Sequence, residues 1–403
     1  MRSFEFLTFF ALLVIAKCNE QECTIDSKES CSENDTHQKY KKEINEKYNK
    51  YLAAVTNAEQ EFVECNRTNC GCFSNVIARD LKPFQEKGIS HELINAAKVS
   101  GATLYQIIKG RLYRETDCMF PSRCAGIEHF ILKVIDKLPD MELIINTRDY
   151  PQSSKYYGNM LPVFSFSKTP EYFDILYPAW SFWEGGPAIS LYPRGLGRWD
   201  QHRVTINEAS EKYPWEEKES LAFFRGSRTS SERDNLILLS RNEPSLVDAQ
   251  YTKNQAWKSD KDTLDAPPAK ELSLEEHCKY KYLFNYRGVA ASFRHKHLFL
   301  CRSLVFHVGN EWTEFYYKAM KPWIHYIPVP KDANQRELKD LILFAKENDG
   351  LAKKIANHGR DFIWGKLQLS DITCYWKKLL SSYAKLLSYR PTLDKNLVEI
   401  KKK

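Results

Sequence analysis

The sequence predicts an α/β protein built of two Rossmann-like lobes. Its 403 residues are 43% hydrophobic, enough for a sizeable core, and this length favours two domains over one. Short apolar runs rich in β-branched residues alternate with helical patterns, which indicates parallel strands covered by helices on both faces. In the later half, an apolar run followed by a loop and a helix occurs three times.

The N-terminal residues have the pattern of a targeting signal. Residues 6–16 are almost entirely apolar, but this run is too short to span a bilayer. We therefore expect a signal peptide over residues 1–18 and no membrane span in the rest of the chain. Two glycosylation sequons, which begin at Asn34 and Asn66, fit the same secretory route.

The cysteine count supports that route. The chain contains 11 cysteines, and removal of Cys18 with the signal leaves an even number. Because disulfides persist in oxidising compartments, an even set is typical of bridges. A metal knuckle formed by Cys65, Cys70 and Cys72 is the alternative, but no histidine lies near them at ligand spacing.

The charge distribution argues against a nucleic-acid-binding protein. The net charge is +7, but acidic and basic residues are interspersed over most of the chain. Nucleic-acid-binding proteins usually concentrate their basic residues on one face or tail. Here the only basic run is residues 401–403. We expect no nucleic-acid partner.

The first half is predicted to begin with a long charged helix, because apolar residues recur every four positions within residues 37–62. Further on, a helix over residues 127–137 precedes the clearest strand, residues 141–146, and residues 163–166 form a second strand. Proline and charged residues accumulate at 199–218. We expect the two lobes to divide there.

The second half is predicted to contain four strands and the helices between and after them. The strands cover residues 221–224, 282–285, 303–306 and 324–327. Helices are expected from about Ser231, from about Ala290, in the stretch after Gly309, and over most of residues 336–387.

Two loops of the second half have the composition of a phosphate-binding site. Residues 225–233 and 287–294 each follow a predicted strand and combine glycine, serine and arginine. Glycine lets the backbone approach a ligand, and the planar guanidinium group of arginine matches phosphate oxygens. Neither loop is a GxGxxG fingerprint or a P-loop, so a nucleotide diphosphate is favoured over NAD or ATP. The alternative is a pair of ordinary capped helices with exposed arginines.

Asp149 is the candidate base. It follows the predicted strand 141–146, at the end of the strand where ligands of open α/β sheets bind. A serine hydroxyl is a poor nucleophile near neutral pH and needs such a positioned carboxylate. A single loop aspartate can equally form a turn.

Two further segments are ambiguous. Residues 177–187 are unusually aromatic, which suits either the apolar faces of sugars and peptide side chains or a core plug. Residues 260–262 match the Asp-x-Asp pattern of metal-dependent glycosyltransferases. They lie in a charged, lysine-rich segment, and we interpret them as a solvated loop without a role.

Five motifs occur in an order that is typical of one family. They are residues 118–124, 148–151, 182–187, 224–230 and 286–294. Together they closely resemble the CAP10-like glycosyltransferases, and among these the protein O-glucosyltransferases of the endoplasmic reticulum. The resemblance covers residues 65–389. It implies a GT-B fold, in which two Rossmann-like lobes face a central cleft and C-terminal helices return to the first lobe.

The resemblance also implies an activity. It implies inverting, metal-independent transfer of glucose from UDP-glucose to the serine of Cys-x-Ser-x-(Pro/Ala)-Cys in folded EGF-like repeats, notably those of Notch. No cofactor is expected besides this donor substrate, and a monomer in the lumen of the endoplasmic reticulum is expected. The competing hypotheses are xylose transfer from UDP-xylose to the same serine and a non-catalytic protein that binds these repeats. Residues 399–403 lack the KDEL-like retrieval signal of the family.

The resemblance implies domain boundaries and site residues. After the signal peptide, an acceptor-binding lobe with the catalytic base covers residues 19–205, a UDP-sugar-binding lobe covers 206–360, and C-terminal helices and tail cover 361–403. Asp149 is the implied base. The implied UDP-glucose contacts are Tyr192, Ser227, Arg233, Val289, Ala290, Ala291, Ser292, Phe293 and Arg294. The implied acceptor contacts are Met119, Phe120, Pro121, Ser122, Arg123, Ala188, Ile189, Ser190, Leu191, Tyr192 and Pro193.

The implied disulfides connect cysteines far apart in the sequence as well as neighbours. They are Cys65–Cys72, Cys70–Cys374, Cys118–Cys124 and Cys278–Cys301, which leaves Cys23–Cys31 as a further pair. The bond between Cys70 and Cys374 is expected to tie the C-terminal helices to the first lobe.

Overall fold

A computed structural model of the protein describes residues 48–98, 101–158, 160–186, 191–193, 195–253 and 257–402. The predicted signal peptide 1–18, the Cys23–Cys31 pair and the Asn34 sequon lie outside these residues. The same is true of the first part of the predicted helix 37–62, whose later part is present as α1 over residues 48–61. Within the described ranges, none of the helices has the length and apolar character needed to cross a bilayer.

The first sheet has six strands and mixed direction. In chain order they are β1 (Ala102–Ile108), β2 (Arg111–Arg114), β3 (Met141–Asn146), β4 (Val163–Ser165), β5 (Ile175–Leu176) and β11 (Val398–Ile400). They lie in the order β11-β2-β1-β3-β4-β5. Strands β3, β4 and β5 are parallel, whereas β1, β2 and β11 run antiparallel to their neighbours.

The antiparallel part of this sheet begins with a tight hairpin. Ile108 pairs with Arg111 across a loop of two residues, Lys109 and Gly110, whose φ angles are 49° and 70°. Positive φ at both central positions is the geometry of a type I′ turn, whose twist matches that of the strands. This hairpin and the C-terminal strand β11 make the sheet mixed, because they add antiparallel strands to the parallel strands β3, β4 and β5.

Helices cover the first sheet and include the C-terminal part of the chain. They are α2 (Ser74–Leu81), α3 (His91–Ala96), α4 (Pro121–Val134) and α10 (Leu369–Ala384). Helix α10 packs against both α2 and α4, and its Tyr375 and Trp376 side chains are fully buried. The Cys70–Cys374 disulfide links the start of this layer to α10.

The second sheet has five strands, all parallel. They are β6 (Glu219–Gly226), β7 (Val247–Tyr251), β8 (Tyr280–Asn285), β9 (Leu304–Val308) and β10 (Ile327–Val329), in the order β10-β9-β8-β6-β7. Its helices are α5 (Trp199–Lys212), α6 (Asp234–Asn242), α7 (His295–Leu300), α8 (Gln335–Glu347) and α9 (Asp349–Lys366). The mixed α/β class predicted from the sequence is confirmed.

The strand order of the second sheet defines where a ligand can bind. The chain leaves β6 to form β7 on one side and later returns to place β8 on the other side. Ligands of open α/β sheets bind at such a reversal, beyond the carboxyl ends of the strands. The loops that follow β6 and β8 therefore share one crevice, and they are the two loops singled out in the sequence.

Three predicted elements are displaced. The strand expected at 324–327 is β10, which begins at Ile327, because Ile324 is buried in a turn that precedes it. The helix expected from Ala290 begins only at His295, because Ala290 and Ala291 are buried in a loop. After Gly309, in the described stretch before α8, the only helical turn is the 3₁₀ segment Tyr317–Ala319.

The four disulfides described are Cys65–Cys72, Cys70–Cys374, Cys118–Cys124 and Cys278–Cys301. They are the same four pairs that the resemblance implied within the described part of the chain. The cysteines at 65, 70 and 72 are thus engaged in bridges, and the metal-knuckle alternative does not hold.

The Cys70–Cys374 disulfide closes a loop of 304 residues, and a longer loop restricts the unfolded chain more. We expect the double substitution C70A/C374A to lower the free energy of unfolding by about 2–5 kcal/mol. The matched control is C65A/C72A, which opens a bridge of sequence separation 7 and should cost less. Urea unfolding followed by tryptophan fluorescence measures both, and an equal loss would contradict the loop-length argument.

Candidate active site

Asp149 lies in the turn that follows β3, and its carboxylate faces an arginine. Nη1 of Arg123 is 3.1 Å from Oδ1 of Asp149 and also donates to the carbonyl oxygen of Thr147 at 2.6 Å. The Asp149 side chain is 36% exposed. It is therefore both oriented by an ion pair and open to an incoming reactant.

Arg123 is itself fixed by two aromatic rings. Its guanidinium carbon lies 4.2 Å from the centre of the Phe120 ring and 4.5 Å from that of Trp180. Such stacking suits a planar guanidinium group. Arg123 belongs to the predicted acceptor-binding segment 119–123, so this segment lies directly beside Asp149. Within the segment, Met119 is half-exposed, Pro121 and Ser122 are exposed, and the Cys118–Cys124 disulfide closes its ends.

Glu184 and Gly185, which precede the second predicted acceptor segment 188–193, lie next to the first segment and the helix that follows it. A β-carbon at Gly185 would lie 3.3 Å from Oγ of Ser122, and one at Gly126 would lie 3.0 Å from the carbonyl oxygen of Glu184. Glycine is required at position 126, because any β-carbon there would also lie 2.6 Å from the carbonyl oxygen of Trp180. Ala188, Ile189 and Ser190 lie outside the described residues, whereas Leu191, Tyr192 and Pro193 are described.

Tyr192 was predicted to contact the donor, and its hydroxyl already has two partners. It donates to Oε2 of Glu275 at 3.2 Å and accepts from the backbone N–H of Leu274 at 2.9 Å. Its ring also lies edge-on to His202. These contacts place Tyr192 near the residues before β8, and its role toward a donor stays a prediction.

Two arginines meet at the carboxyl ends of β6 and β8. A β-carbon at Gly226, the last residue of β6, would lie 2.8 Å from Nη2 of Arg294 and 3.6 Å from Nη1 of Arg233. Both guanidinium carbons lie over the Phe224 ring, at 5.4 Å for Arg233 and 5.6 Å for Arg294. A glycine at this point gives the two side chains the space that they occupy.

Backbone carbonyl groups hold both guanidinium groups. Arg233 donates to the carbonyl oxygens of Ser227 and Arg287, and Arg294 donates to that of Arg225. Neither arginine forms an ion pair with a carboxylate of the described residues. Burial lowers the pKa of each to about 10, helped for Arg233 by the neighbouring charge of Arg294. Both remain protonated at neutral pH, so the crevice carries two positive charges suited to a diphosphate.

The remaining predicted donor residues belong to the same two loops. Ser227 and Thr229 place their hydroxyl oxygens 3.3 Å apart. In the second loop, Val289 is half-exposed, whereas Ala290 and Ala291 are buried. Ser292 borders a small pocket beyond the ends of β8 and β9.

The second loop also contacts the first half of the chain. The backbone N–H of Ala291 donates to Oγ of Ser167 at 3.3 Å. The Phe293 ring stacks on Phe166 at 4.8 Å and lies 5.6 Å from the ring of Trp180. Because Trp180 also supports Arg123, a continuous row of side chains connects the residue before Arg294 to the partner of Asp149.

An open cleft lies where the two halves face each other. Tyr150 and Tyr172 line it from the first half, and Ser231, Glu232 and Arg287 line it from the second. Trp312 completes it, with its ring centre 5.1 Å from that of Tyr150. Glu232 and Arg287 lie in the two loops whose composition predicted a phosphate-binding site. Nothing in the sequence indicated the contact between Trp312 and Tyr150.

Asn285 and His307 form a polar pair at the ends of neighbouring strands. The Asn285 amide nitrogen donates to Nδ1 of His307 at 2.9 Å, and both residues border the small pocket beyond β8 and β9. Burial lowers the pKa of His307 to about 4, so its ring is neutral. Sequence reasoning missed both residues, because each lies within an apolar strand.

The Asp-x-Asp segment has a local structural role. Oδ2 of Asp262 accepts the backbone N–H groups of Lys258, at 2.7 Å, and Ser259, at 3.2 Å, at the start of a 3₁₀-helix. It is thus a capping residue. Across the described ranges, no cluster of three or more histidine, cysteine or acidic residues could hold a metal ion.

The sequence model of glycosyl transferase family 90 matches residues 65–403. The chain belongs to this family. It is therefore a glycosyltransferase, and the resemblance read from its five motifs is confirmed.

Relatives of this family 90 glycosyltransferase have specific names. The "O-glucosyltransferase rumi homolog" of Anopheles gambiae is 56% identical over 97% of both chains. That of Aedes aegypti is 59% identical over 87% of both chains. The "Protein O-glucosyltransferase 1" of Homo sapiens is 56% identical over 89% of this chain and 91% of its own.

This glycosyltransferase has low structural similarity to a bacterial protein of known structure. The crystal structure of Anabaena Alr3699/HepE in complex with UDP and glucose aligns with a TM-score of 0.32 and 13% identity, over 44% of this chain and 52% of that chain. Similarity at this level does not define a shared fold.

The space at Gly226 provides a test of the arginine pair. We expect Gly226→Ala to weaken UDP binding by about 10-fold, because its methyl group would displace the Arg294 guanidinium and one charge-assisted hydrogen bond to phosphate is worth about 1.5–3 kcal/mol. Isothermal titration calorimetry with UDP measures this. The control is Gly350→Ala in α9, where a methyl group meets no atom within 4 Å. Equal UDP affinities in the two variants would remove the arginines from the binding site.

Proposed function

We propose that this glycosyltransferase transfers glucose from UDP-glucose, with inversion, to the serine hydroxyl of Cys-x-Ser-x-(Pro/Ala)-Cys in folded EGF-like repeats such as those of Notch. The names of relatives that cover most of the chain support glucosyl transfer onto proteins. The main structural support for this chemistry is the position of Asp149. Its carboxylate is exposed to solvent. Contacts through Arg123, Trp180 and Phe293 connect it to the loop that contains Arg294.

The proposed fold is GT-B, with lobes at 19–205 and 206–360 and C-terminal helices and tail at 361–403. Strands β1–β5 fall in the first of these ranges and β6–β10 in the second. The last range contributes α10 and β11 to the layer and sheet of the first lobe. The two sheets support this division, whose boundaries fall within α5 (Trp199–Lys212) and α9 (Asp349–Lys366).

In the proposed reaction, Asp149 removes the proton of the serine hydroxyl while the serine oxygen bonds to the anomeric carbon. The bond from that carbon to the diphosphate oxygen breaks on the opposite face, and its electron pair leaves with UDP. Arg233 and Arg294 stabilise the charge that develops on the diphosphate. Their positions, fixed by backbone carbonyl groups, favour this role because fixed charges need not reorganise during the reaction.

The proposed acceptor site adjoins the base. Residues 119–123 and the segment that ends with Leu191, Tyr192 and Pro193 would hold the EGF-like repeat. The Cys118–Cys124 disulfide and the stacking of Arg123 rigidify the first of them, which reduces the entropy lost on binding. Its exposed residues offer a surface next to Asp149 for a folded domain.

We also propose that the protein acts as a monomer in the lumen of the endoplasmic reticulum. Four disulfides are typical of proteins that fold in oxidising compartments. Folded EGF-like repeats pass through the same compartment, so acceptor and enzyme would meet there.

The base assignment is tested by Asp149→Asn. We expect the turnover number to fall about 10²- to 10⁴-fold, the contribution of a positioned general base, while UDP-glucose binding survives. The assay incubates the protein with a folded single repeat and either UDP-glucose or UDP-xylose, and the mass of the product identifies the sugar. Near-normal turnover would remove Asp149 from the mechanism.

The same assay separates the competing functions. A mass gain with UDP-xylose and none with UDP-glucose would establish the xylosyltransferase. No mass gain with either donor, from folded protein that binds the repeat, would establish a binding function instead.

The leaving-group role is tested by Arg294→Ala. We expect about 10- to 100-fold weaker UDP affinity, since a charged hydrogen-bond donor to phosphate is lost. Arg241→Ala is the control, because that side chain bonds only a carbonyl oxygen, that of Thr263, on the surface of α6. UDP titration of the two variants gives the comparison, and unchanged affinity for Arg294→Ala would make the second loop structural.

A further inference from the structure

The buried side-chain amide of Asn146 holds the turn that contains Asp149. Asn146, the last residue of β3, is fully buried. Its Nδ2 donates to the carbonyl oxygen of Tyr150 at 2.7 Å, and its Oδ1 accepts the backbone N–H of Arg148 at 2.9 Å. The two ends of a single side chain thus bind the residue before Asp149 and the residue after it.

Asn146 is in turn held by the neighbouring strand. Its Nδ2 also donates to Oγ of Ser165 in β4 at 3.0 Å, and Ser165 donates to Oδ1 of Asp174 at 2.6 Å. Asp174 precedes β5 and is fully buried. The three residues therefore form one line of hydrogen bonds from the carboxyl ends of β3 and β4 to the residue that precedes β5.

The Asp174 carboxylate also binds the chain that leaves the turn. Its two oxygens accept the backbone N–H groups of Gln152 at 2.8 Å and Ser153 at 2.7 Å. The segment 146–153 is thus fixed at both ends, and the carboxylate of Asp149 projects from the middle of it.

A buried lysine continues this network away from the site. Nζ of Lys168 donates to the carbonyl oxygen of Asp174 at 2.5 Å and lies 2.9 Å from Oδ1 of Asp80 in α2. Oδ2 of Asp80 accepts the backbone N–H of Leu176 at 3.1 Å. Buried polar groups are costly unless they are paired, and a fully paired network is rigid.

We propose that Asn146, Ser165 and Asp174 are positioning residues, which hold the Asp149 carboxylate at the distance and angle needed to take the proton of the acceptor hydroxyl. The inference rests on the proposed function. None of the three reaches the cleft, since all are buried beneath the turn. Their effect is on turnover, because a base displaced by about 1 Å can cost 10²-fold in rate.

Ser165→Ala tests this inference, with Ser240→Ala as the matched control. Each serine is buried, donates one hydrogen bond and accepts another, and Ser240 makes its bonds to Val247 and Ala249 in the second sheet. We expect Ser165→Ala to lower kcat about 10- to 100-fold while KM for UDP-glucose and for the repeat stays within about twofold. Ser240→Ala should keep the wild-type kcat. Thermal melting of both variants checks that their stabilities are comparable.

The Asp149→Asn background shows whether the effect passes through the base. Adding Ser165→Ala to Asp149→Asn should leave the rate within about twofold of the residual rate of Asp149→Asn alone. The reason is that the base positioned by the network is already absent. If Ser165→Ala fails to fold, Asn146→Ala replaces it, because this variant removes the donor to Tyr150 and Ser165 without burying a charge. It should show the same loss of kcat.

Two results would overturn the inference and leave the proposed function intact. One is the combination of an inactive Asp149→Asn protein and a Ser165→Ala protein whose kcat equals that of Ser240→Ala. The other is a fall in rate for Ser165→Ala that persists undiminished in the Asp149→Asn background. Full turnover by Asp149→Asn alone would instead contradict the proposed base, whatever the effect of Ser165→Ala.

Discussion

The guanidinium groups of Arg233 and Arg294, which pack against Gly226, impose the main constraint on the loops of the second sheet. Arg233 and Arg294 carry like charges into a buried crevice, which is unfavourable unless each charge is compensated. Backbone carbonyl groups of residues 225, 227 and 287 provide that compensation. These carbonyl groups converge because β6 and β8 are parallel neighbours whose following loops leave the sheet at the same edge. The parallel strand order thus brings both positive charges into one crevice.

The first half orients the carboxylate of Asp149 by other means. Asp149 is paired with Arg123, whose guanidinium group lies against Phe120 and Trp180. Below the turn, a buried amide, a hydroxyl and a carboxylate fix the backbone on both sides of Asp149. The second half therefore holds positive charge by backbone carbonyl groups, and the first half holds a carboxylate by side-chain contacts. Stacking of Phe293 on Phe166 joins the two sides.

Local sequence patterns were sufficient to predict many strands and helices. They failed where an apolar side chain is buried from a turn. The strand Met141–Asn146 was predicted with its observed bounds, since a short, mainly apolar segment with the β-branched pair Ile144 and Ile145 is typical of a buried strand. Ile324 misled the prediction of β10, because a side chain can be buried from a turn as well as from a strand. The hairpin between β1 and β2 depends on positive φ angles at Lys109 and Gly110, and this signal is weak without the usual Asn-Gly or Asp-Gly pair.

The sequence by itself determined the class of fold, the family motifs, the two arginine-bearing loops and the position of Asp149 after a strand, because these depend on residue types at short spacing. Only the tertiary structure decided that Arg233 and Arg294 meet at Gly226, that Arg123 pairs with Asp149, that Tyr192 bonds Glu275 and Leu274, and that Ser165 and Asp174 support Asn146. These contacts join residues that lie far apart in the chain. Their partners are selected by packing of whole strands and loops, which no local pattern specifies.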